Sequence, residues 1–327
     1  MSADRAQAVV ALGGGHGLHV SLRALRRLLD EVLLDELAAI VTVADNGGSS
    51  GRLRGEFGVL PPGDLRMALA ALCGDDQWGQ TWARVLQHRF AGDGEMRGHV
   101  VGNLLIVALW EQLRDDVAAL EWVGRLLGAR GRVLPMALAP LDIVASVAGL
   151  DPGDPTALQE VRGQVEVATT SGRIRSVRLE PADAPASPAA LAAVAAADWV
   201  ILGPGSWFTS VLPHLLVPEL RAALLSTPAR VLVVLNLTEQ EGETGGFGPA
   251  DHLAVLLACA PDLCIDTVLA DRASVGDGAA ALEAAVEQCG ARLVLDDVAA
   301  GPGSAEHDPA ALAAAYEAIM TRPRPRD

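Results

Sequence analysis

The stretch that decides the fold is AVVALGGGHGLHVSLRALRRLL, which covers residues 8–29. It begins with five apolar residues, continues through a run of glycines, and then places Leu18, Leu22 and Leu25 at helical spacing. A short apolar run, a glycine turn and a period of 3.6 residues, in this order, are typical of a buried strand that leads directly into a helix. The stretch therefore predicts the first strand–turn–helix unit of an α/β protein.

Strand-like and helix-like patterns alternate along most of the chain. Apolar runs separated by Ala-rich helical patterns lie at 38–44, 199–202, 230–235, 264–270 and 292–295. This alternation indicates parallel strands joined by crossover helices, whereas the apolar period of two between residues 131 and 180 favours antiparallel strands. We therefore predict a three-layer, Rossmann-like, doubly wound, mainly parallel sheet with a small antiparallel insert at 131–180. A single domain would span residues 1–322, followed by a flexible tail at 323–327.

The composition indicates a globular protein. Half of the 327 residues are hydrophobic and 20% are charged, which excludes a disordered or fibrous chain. The longest apolar run, residues 189–202, is interrupted by Asp198, so we expect no membrane span. The N-terminal residues lack the basic start and long apolar stretch of an export signal, and the four cysteines are few and widely spaced. We therefore expect a cytoplasmic protein with reduced core thiols.

The charges of the chain exclude several kinds of chemistry. The 25 basic residues, all arginines, are outnumbered by 41 acidic ones, which gives a net charge of −16. The absence of lysine excludes Schiff-base chemistry and the phosphate loop that ends in Gly-Lys-Ser/Thr. An acidic chain repels a phosphate backbone, and its 3% aromatic content offers little surface for base stacking. Nucleic acid is therefore not an expected partner.

The first candidate binding loop follows the first strand, because ligands of doubly wound sheets bind beyond the carboxyl ends of the strands. Its residues are Gly13, Gly14, Gly15, His16 and Gly17. Glycines let backbone amides approach a phosphate, and the positive end of the following helix attracts it. The G-x-G-x-x-G spacing fails at Leu18, so both a phosphate loop and a tight strand–helix turn fit the pattern. His16 either bonds a phosphate or fills the turn.

A second candidate loop follows the second strand. Its candidate ligand-binding residues are Asp45, Asn46, Gly47, Gly48, Ser49, Ser50 and Arg52. Asp45 stands where an acidic residue commonly meets ribose or Mg²⁺, and Arg52 adds a fork for phosphate; the alternative is an irregular surface turn. Asp64 and Arg66 either join the same site or serve as a helix cap and a surface charge. Mg²⁺ is the candidate metal, with Asp45 and Asp64 as its ligands.

The other candidate residues lie at later breaks in the pattern. They are His99, Asn103, Gly203, Gly205, Ser206, Thr209, Asn236, Glu243 and Thr244. His99 opens a predicted helix and shares a face with Asn103, so the two either hold a polar group of a substrate or form a satisfied helix end. The glycines, hydroxyls and Asn236 follow predicted strands, and Glu243 and Thr244 lie in a long polar loop. No residue is assigned a catalytic role.

Seven motifs, read together, carry a family resemblance. They are GGGHGL (13–18), TVADNGGSSGRLR (42–54), PPGDLR (61–66), GHVVGNLL (98–105), GRVLP (131–135), LGPGSWFTSVLPHLLVP (202–218) and QEGETGGF (240–247) followed by DH. In this order, and over nearly the entire chain, they resemble the bacterial YvcK-like gluconeogenesis factors, which are related to the CofD 2-phospho-lactate transferases.

The chain also departs from that family's pattern. Residues that differ from the common family residue are His16, Asn46, Val100, Trp207, Phe208, Glu241, Gly245, Phe247 and Glu306. Glu306-His307-Asp308 stands where many members have Arg-His-Asp, and that Arg has been linked to nucleotide-sugar binding, so this contact is not carried over. Asp308-Pro309 is in any case a favourable cap and first position for the final helix.

The resemblance implies a protein that binds a nucleotide sugar, with UDP-N-acetylglucosamine the leading candidate, and that regulates carbon flow into cell-wall precursors and cell shape. A homodimer and regulatory protein partners are compatible with that role. The alternative is CofD-like, Mg²⁺-dependent transfer of a phospho-lactyl group from a nucleoside-diphosphate adduct to a deazaflavin. A dinucleotide-binding protein that uses NAD is a third reading, which the broken glycine fingerprint disfavours.

Overall fold

The computed structural model describes residues 7–31, 33–240 and 242–323. Its strands are β1 (Gln7–Gly13), β2 (Leu34–Val41), β3 (Arg132–Pro135), β4 (Asp142–Ala148), β5 (Leu158–Arg162), β6 (Arg173–Glu180), β7 (Trp199–Leu202), β8 (Arg230–Val234), β9 (Thr267–Asp271) and β10 (Arg292–Asp296). Its α-helices are α1 (Gly15–Asp30), α2 (Gly48–Phe57), α3 (Pro62–Ala71), α4 (Gln77–Gln87), α5 (Val101–Leu113), α6 (Asp116–Leu127), α7 (Gln164–Ala168), α8 (Pro188–Ala196), α9 (Pro213–Leu216), α10 (Pro218–Ser226), α11 (Pro249–Cys259), α12 (Arg272–Val275), α13 (Ala279–Gln288) and α14 (Pro309–Met320). Trp207–Val211 forms a π-helical turn, and Gly276–Gly278 a 3₁₀ turn.

Seven strands form one parallel sheet, in the order β10-β9-β8-β7-β1-β2-β3. The chain runs outward from β1 through β2 to β3, returns to β7 beside β1, and then runs outward to β10 at the other edge. The strand order therefore reverses between β1 and β7. This is the order of a doubly wound, Rossmann-like sheet, and it confirms the predicted fold class.

The core lies around the central strands and the buried face of α1. Every residue of β7 and the last five residues of β1 are buried. Leu18, Leu22 and Leu25, the leucines that predicted α1, are at most 1% exposed, and α1 packs on α3 and α14. Since a fully buried leucine contributes about 1.5–3 kcal/mol relative to an exposed one, this face fixes the position of α1 against the sheet.

The antiparallel insert is a three-stranded sheet in the order β5-β4-β6, with α7 between β5 and β6. Its strands begin at Asp142, later than the predicted start of the insert at residue 131. Arg132–Pro135, which the prediction placed in the insert, instead pairs in parallel with β2 as the edge strand of the main sheet. Four residues are too few to separate a parallel from an antiparallel strand by their apolar period.

Two local predictions were wrong. Residues 45–52 were expected to be irregular, but α2 begins at Gly48, because its serines bond across to neighbouring helices: Ser50 Oγ accepts the Gly63 N–H at 3.0 Å and Ser49 Oγ accepts the Asn103 side-chain N–H at 3.2 Å. These tertiary hydrogen bonds outweigh the roughly 1 kcal/mol that a glycine costs in a helix. His99 was expected to open a helix, but α5 begins at Val101 because Val100 pairs with Arg89 in an antiparallel bridge.

The cysteines differ in their exposure. Cys73 is buried, Cys259 and Cys289 are half-buried, and all four cysteines are free. Cys264 is exposed, so the prediction that all four are core thiols was wrong for this one. Of the predicted tail, residues 324–327 lie outside the described part of the chain, as does Glu241. No helix among the described residues is both long and apolar enough to cross a membrane.

Candidate functional site

A cleft with a volume of about 540 Å³ lies at the carboxyl ends of β1, β7 and β8, where the strand order reverses. Its walls come from the start of α1, the turn after β7, the loop after β8, α7 of the insert and the loop before α14. The predicted candidates that line it are Gly14, Gly15, His16, Gly17, Asp64, Gly205, Ser206, Thr209 and Asn236. The volume is within the range of small-molecule sites, about 300–1,000 Å³.

The N-terminus of α1 opens into this cleft without a side-chain cap. Gly14 is its N-cap residue and bonds no first-turn amide through a side chain. Gly15 has a φ of +59°, and an added Cβ there would meet nothing within 4 Å, so the backbone borders open space. The Gly15 amide hydrogen-bonds the Asp64 carboxyl, and the other amides of a first turn, together with the positive helix end, attract an anion.

Two of the neighbouring glycines, Gly14 and Gly17, are required by packing. A Cβ on Gly17 would lie 2.3 Å from the Pro204 carbonyl oxygen, and one on Gly14 would lie 2.7 Å from Asp64 Oδ2. A Cβ on Gly13 would make only ordinary contacts with Leu18. Gly14 and Gly17 therefore allow the turn after β7 and the start of α3 to lie close to the helix N-terminus.

Asn236 fixes the turn after β7. Its Oδ1 accepts the Gly205 N–H at 3.0 Å, and its Nδ2 donates to the Gly205 carbonyl at 2.9 Å. Gln240, from the loop after β8, donates to Ser206 Oγ at 3.3 Å. Gly203, which precedes this turn, does not line the cleft. The wall beside the start of α1 is thus a backbone turn held by two amide side chains.

The amides of the π-helical turn already have internal acceptors. Gln240 Oε1 accepts the Trp207 N–H at 3.3 Å, Glu243 Oε2 accepts the Phe208 N–H at 3.2 Å, and Thr209 Oγ1 donates to Glu243 Oε1 at 2.5 Å. Burial raises the pKa of Glu243. Thr244 is fully buried and accepts the Gln240 N–H at 2.9 Å. Glu243 and Thr244 therefore stabilise the loops and do not line the cleft, and the helix end available to an anion is that of α1.

Asp64 brings a carboxylate into the cleft. The prediction that Asp64 caps the helix was wrong. Asp64 lies in the first turn, because α3 begins at Pro62. Its Oδ2 is buried and has no hydrogen-bond partner in the described part of the chain, whereas the carboxyl group as a whole accepts hydrogen bonds from the Gln164 side chain and the Gly15 backbone, which lower its pKa. Burial, and secondly the charge of Asp45, raise the pKa of Asp64 to about 7. A buried carboxylate oxygen without a donor is an available ligand for a cation.

Asp45 does not line the cleft, but it lies close enough to Asp64 for its charge to raise the pKa of Asp64. A Cβ on Gly63 would lie 2.5 Å from Asp45 Oδ2. The Oδ1 of Asp45 accepts the Gly47 N–H at 2.8 Å, and burial raises the pKa of Asp45. Two adjacent carboxylates, both of them costly to ionise, fit a hard divalent cation such as Mg²⁺. No group of three or more His, Cys, Asp or Glu side chains in the described residues could hold a metal, so water and ligand oxygens would complete the coordination.

Arg66 and Arg52 do not line the cleft. Arg66 is 7% exposed, its Nε donates to Asn103 Oδ1 at 2.9 Å, and burial, followed by the charge of Arg89, lowers its pKa to about 10. None of the ion pairs within the described chain includes it. Arg52 donates to the carbonyls of Glu95 and Arg97 at 3.3 and 2.8 Å. The guanidinium of Arg52, which was predicted to bind phosphate, therefore hydrogen-bonds backbone carbonyls instead.

The predicted pair of His99 and Asn103 meets at a serine. Ser49 Oγ accepts the Val100 N–H and the Asn103 side-chain N–H, each at 3.2 Å, and lies 3.2 Å from His99 Nδ1. Burial lowers the pKa of His99. With the bond from Gly63 to Ser50, this network joins α2, α3 and α5 outside the cleft.

The insert closes the cleft through Asn46. Its Nδ2 donates to Glu166 Oε2 at 2.7 Å and its Oδ1 accepts the Val165 N–H at 3.1 Å. A Cβ on Gly47 would lie 2.7 Å from Val165 Cγ2, while Gly48 is exposed. Asn46 therefore holds α7 of the insert against the loop after β2 by hydrogen bonds. The absence of a side chain on Gly47 lets Val165 of α7 lie this close.

The cleft is also lined by residues that were not among the candidate binding residues. They are Gln164, Val165, Ala168, Thr169, Pro204, Ser210, Leu237, Thr238, Glu239, Gln240, Ala305 and His307. His307 is 7% exposed, its Nε2 has no partner among the described residues, and burial lowers its pKa to about 4. The imidazole is therefore neutral at pH 7. Its neighbour Asp308 caps α14, as predicted, by accepting the N–H groups of Ala310 and Ala311 at 2.9 and 2.8 Å.

Comparison with known proteins identifies the family. The family model described as "2-phospho-L-lactate transferase CofD" matches residues 9–300. The chain is 55% identical over 263 residues to the "Putative gluconeogenesis factor" of Mycobacterium tuberculosis, covering 80% of this chain and 75% of that protein. It is 35% identical to the "Gluconeogenesis factor" of Bacillus subtilis, covering 82% and 80%.

A solved structure shows the same architecture. The crystal structure of a Bacillus halodurans protein superposes with a TM-score of 0.83 at 30% identity, covering 97% of this chain and 100% of that one. The family match extends across the parallel sheet, the insert and the cleft except for Ala305 and His307. The chain therefore belongs to the CofD family, among the bacterial gluconeogenesis factors.

Proposed function

We propose that the cleft binds a nucleoside-diphosphate sugar, with UDP-N-acetylglucosamine the leading candidate. The observation that carries this proposal is the uncapped N-terminus of α1, which faces a cleft of about 540 Å³ at the reversal of strand order. A diphosphate can bond the amides of the first helical turn that Asp64 does not already bond, and the glycines of the turn let its oxygens approach the backbone. The competing π-helical turn is closed to an anion by Gln240 and Glu243.

The charges in the cleft favour a metal-bound diphosphate. The residues lining the cleft include the carboxylates of Asp64 and Glu239 but no arginine, and a helix N-terminus supplies only about half a positive charge. A diphosphate would therefore need a further cation, and Mg²⁺ held by Asp64, with Asp45 close to it, fits that need. Bound there, Mg²⁺ would neutralise phosphate oxygens and orient them toward α1.

The remaining walls suit a sugar and a base. The side-chain amide of Gln164 and the hydroxyls of Ser206 and Thr238 offer hydrogen bonds, and Leu237 adds apolar surface. Sites of this kind combine apolar walls with a few placed polar groups. The neutral His307 adds one ring nitrogen without a partner in the described chain. We place this binding in the cytoplasm, where the family role would be to regulate carbon flow into cell-wall precursors and cell shape.

The proposal is tested by thermal unfolding with a panel of ligands. UDP-N-acetylglucosamine, UDP-glucose, GDP, NAD and a deazaflavin are each added with and without Mg²⁺, with uridine as a control that lacks phosphate. A ligand at 100 times its Kd stabilises the folded state by about 2.7 kcal/mol, which raises the Tm by several degrees. We expect stabilisation by the UDP-sugars that is strengthened by Mg²⁺. Stabilisation by GDP and deazaflavin alone would instead support the phospho-lactyl transferase, and stabilisation by NAD alone a dinucleotide site.

A further inference from the structure

A second cavity, of about 400 Å³, lies on the outer side of α1, α3 and α4. It shares no lining residue with the cleft. The side chains that define its character are His19, Arg23, Arg26, Asp75, Gln80 and Arg84. Arg26 is eleven residues after Gly15 on α1, which places it about 16 Å along the helix axis from the cleft. The second cavity is therefore separate from the nucleotide-sugar site but is built on the same helix.

The charge of this cavity is opposite to that of the chain. Three arginines line it against one carboxylate, Asp75, although the whole chain carries −16. Arg23 and Arg84 are exposed, and neither takes part in an ion pair within the described residues. A concave surface with an excess of cations concentrates anions.

Arg26 gives the cavity a buried cation with incomplete hydrogen bonding. It is 3% exposed, and its Nη2 donates to Asp75 Oδ1 at 2.6 Å. Its Nε and Nη1 are buried and have no partner in the described part of the chain. A buried donor without an acceptor costs about 1–3 kcal/mol, so an additional acceptor at this guanidinium would be favourable.

Asp75 is the replaceable partner of this arginine. Its side chain is 75% exposed, and it lies in the short connection between α3 and α4. Because this carboxylate stays in contact with water, it can leave the pair at little cost to itself, provided that another anion takes over the charge of the buried guanidinium. An incoming anion can therefore take its place on Arg26 without disturbing the packed helices.

We propose that this cavity is a second ligand site for a compact dianion, the phosphate group of a small phosphorylated metabolite, with Asp75 occupying the anion position in the ligand-free protein. The planar fork of arginine matches phosphate oxygens, and Arg23 and Arg84 supply the second charge. Gln80 adds a polar group at the rim, and the volume admits a small organic group beside the phosphate. The site does not depend on what the cleft binds.

Calorimetric titration with inorganic phosphate tests the site. Asp75→Asn removes the internal competitor and should tighten the Kd at least about threefold, while Arg23→Gln combined with Arg84→Gln should weaken it at least about tenfold. Arg27→Gln is the matched control, because Arg27 is an exposed arginine of α1 that does not line the cavity; its Kd should stay within about twofold of the parent value. These variants lie on the surface, and circular dichroism verifies their folding.

The same titrations in a Gly15→Val background separate this site from the cleft, because that substitution fills the space beside the N-terminus of α1. The changes caused by Asp75→Asn and by the double arginine variant should persist there, whether or not the cleft binds a nucleotide sugar. An unchanged Kd in both variants would overturn the proposal. So would the absence of phosphate binding in the Gly15→Val background, or an equal loss in Arg27→Gln, which would show attraction by general charge.

Discussion

Replacing Asp64 with asparagine should stabilise the metal-free protein and remove its response to Mg²⁺. Burial and the neighbouring Asp45 raise the pKa of Asp64 to about 7 from an ordinary value of 3.8. The difference of about three units, at about 1.4 kcal/mol each, corresponds to about 4 kcal/mol between the protonated and ionised forms. Asparagine has nearly the same shape as the protonated acid and never carries this cost.

The sign of the pH dependence follows from proton binding. Because the folded-state pKa is raised, the folded protein keeps a proton that the unfolded chain releases between about pH 4 and pH 7. The stability of the parent protein should therefore fall as the pH rises through this window and level off above the folded pKa. Asp64→Asn should lack this contribution, so that its advantage over the parent grows by about 3 kcal/mol between about pH 4.5 and pH 8.

Urea unfolding followed by circular dichroism in EDTA, across this pH range, measures the effect. The control is Asp183→Asn, which removes an exposed carboxylate and should leave the pH profile unchanged. Addition of Mg²⁺ at pH 8 should stabilise the parent protein and leave Asp64→Asn unaffected. If Asp64→Asn is less stable than the parent at pH 8, or if their difference does not change with pH, the carboxylate is stabilised by its surroundings and the metal assignment loses its physical basis.

Three further predictions follow from the walls of the cleft. Gly17→Ala should lower the free energy of unfolding by about 1–3 kcal/mol, because its Cβ would lie 2.3 Å from the Pro204 carbonyl oxygen; urea unfolding measures this, and a neutral result would show that α1 is free to move from the turn. His307→Gln should leave the pH dependence of nucleotide-sugar affinity unchanged between about pH 5.5 and pH 8, since the pKa of His307 lies near 4; a changed profile in calorimetry would show that the imidazole titrates on binding. Incubation with UDP-sugar and Mg²⁺, with or without deazaflavin, should release no UDP, UMP or GMP; chromatography that detects release lost in Asp45→Asn would identify a transferase.

Local patterns predicted the frame of the fold. The apolar run before the glycines forms a strand that is buried on both faces of a parallel sheet. The leucines of α1 recur at helical spacing because one face of the helix is buried, so both patterns are visible in the sequence. The glycine run and Asn236 were also placed at the ends of strands, where the cleft lies. For these segments, the local sequence pattern is sufficient to predict the position in the fold.

Side-chain direction and long-range docking were not readable from the sequence. The charge of Arg52 suggested a phosphate fork, but carbonyls of the loop before α5 already accept its hydrogen bonds. Glu243 was predicted to be a polar loop residue that contacts a ligand. Its carboxylate instead accepts a hydrogen bond from Thr209, 34 residues earlier in the chain. The contribution of α7 depends on contacts such as that between Asn46 and Glu166, 120 residues apart. Spacing along the chain holds no information on such contacts.

Calorimetric titration of UDP-N-acetylglucosamine with Mg²⁺, into the parent protein and Gly15→Val, tests the binding of a nucleotide sugar at α1 most directly. Gly15 faces open space, so a valine can be accommodated apart from the cost of its positive φ, about 1–3 kcal/mol. Its side chain would then occupy the approach to the first-turn amides. We predict saturable binding with one site per chain in the parent protein and no measurable binding in the variant, whose fold circular dichroism verifies. Equal affinity in both proteins, or no binding of any UDP-sugar by the parent, would contradict the account.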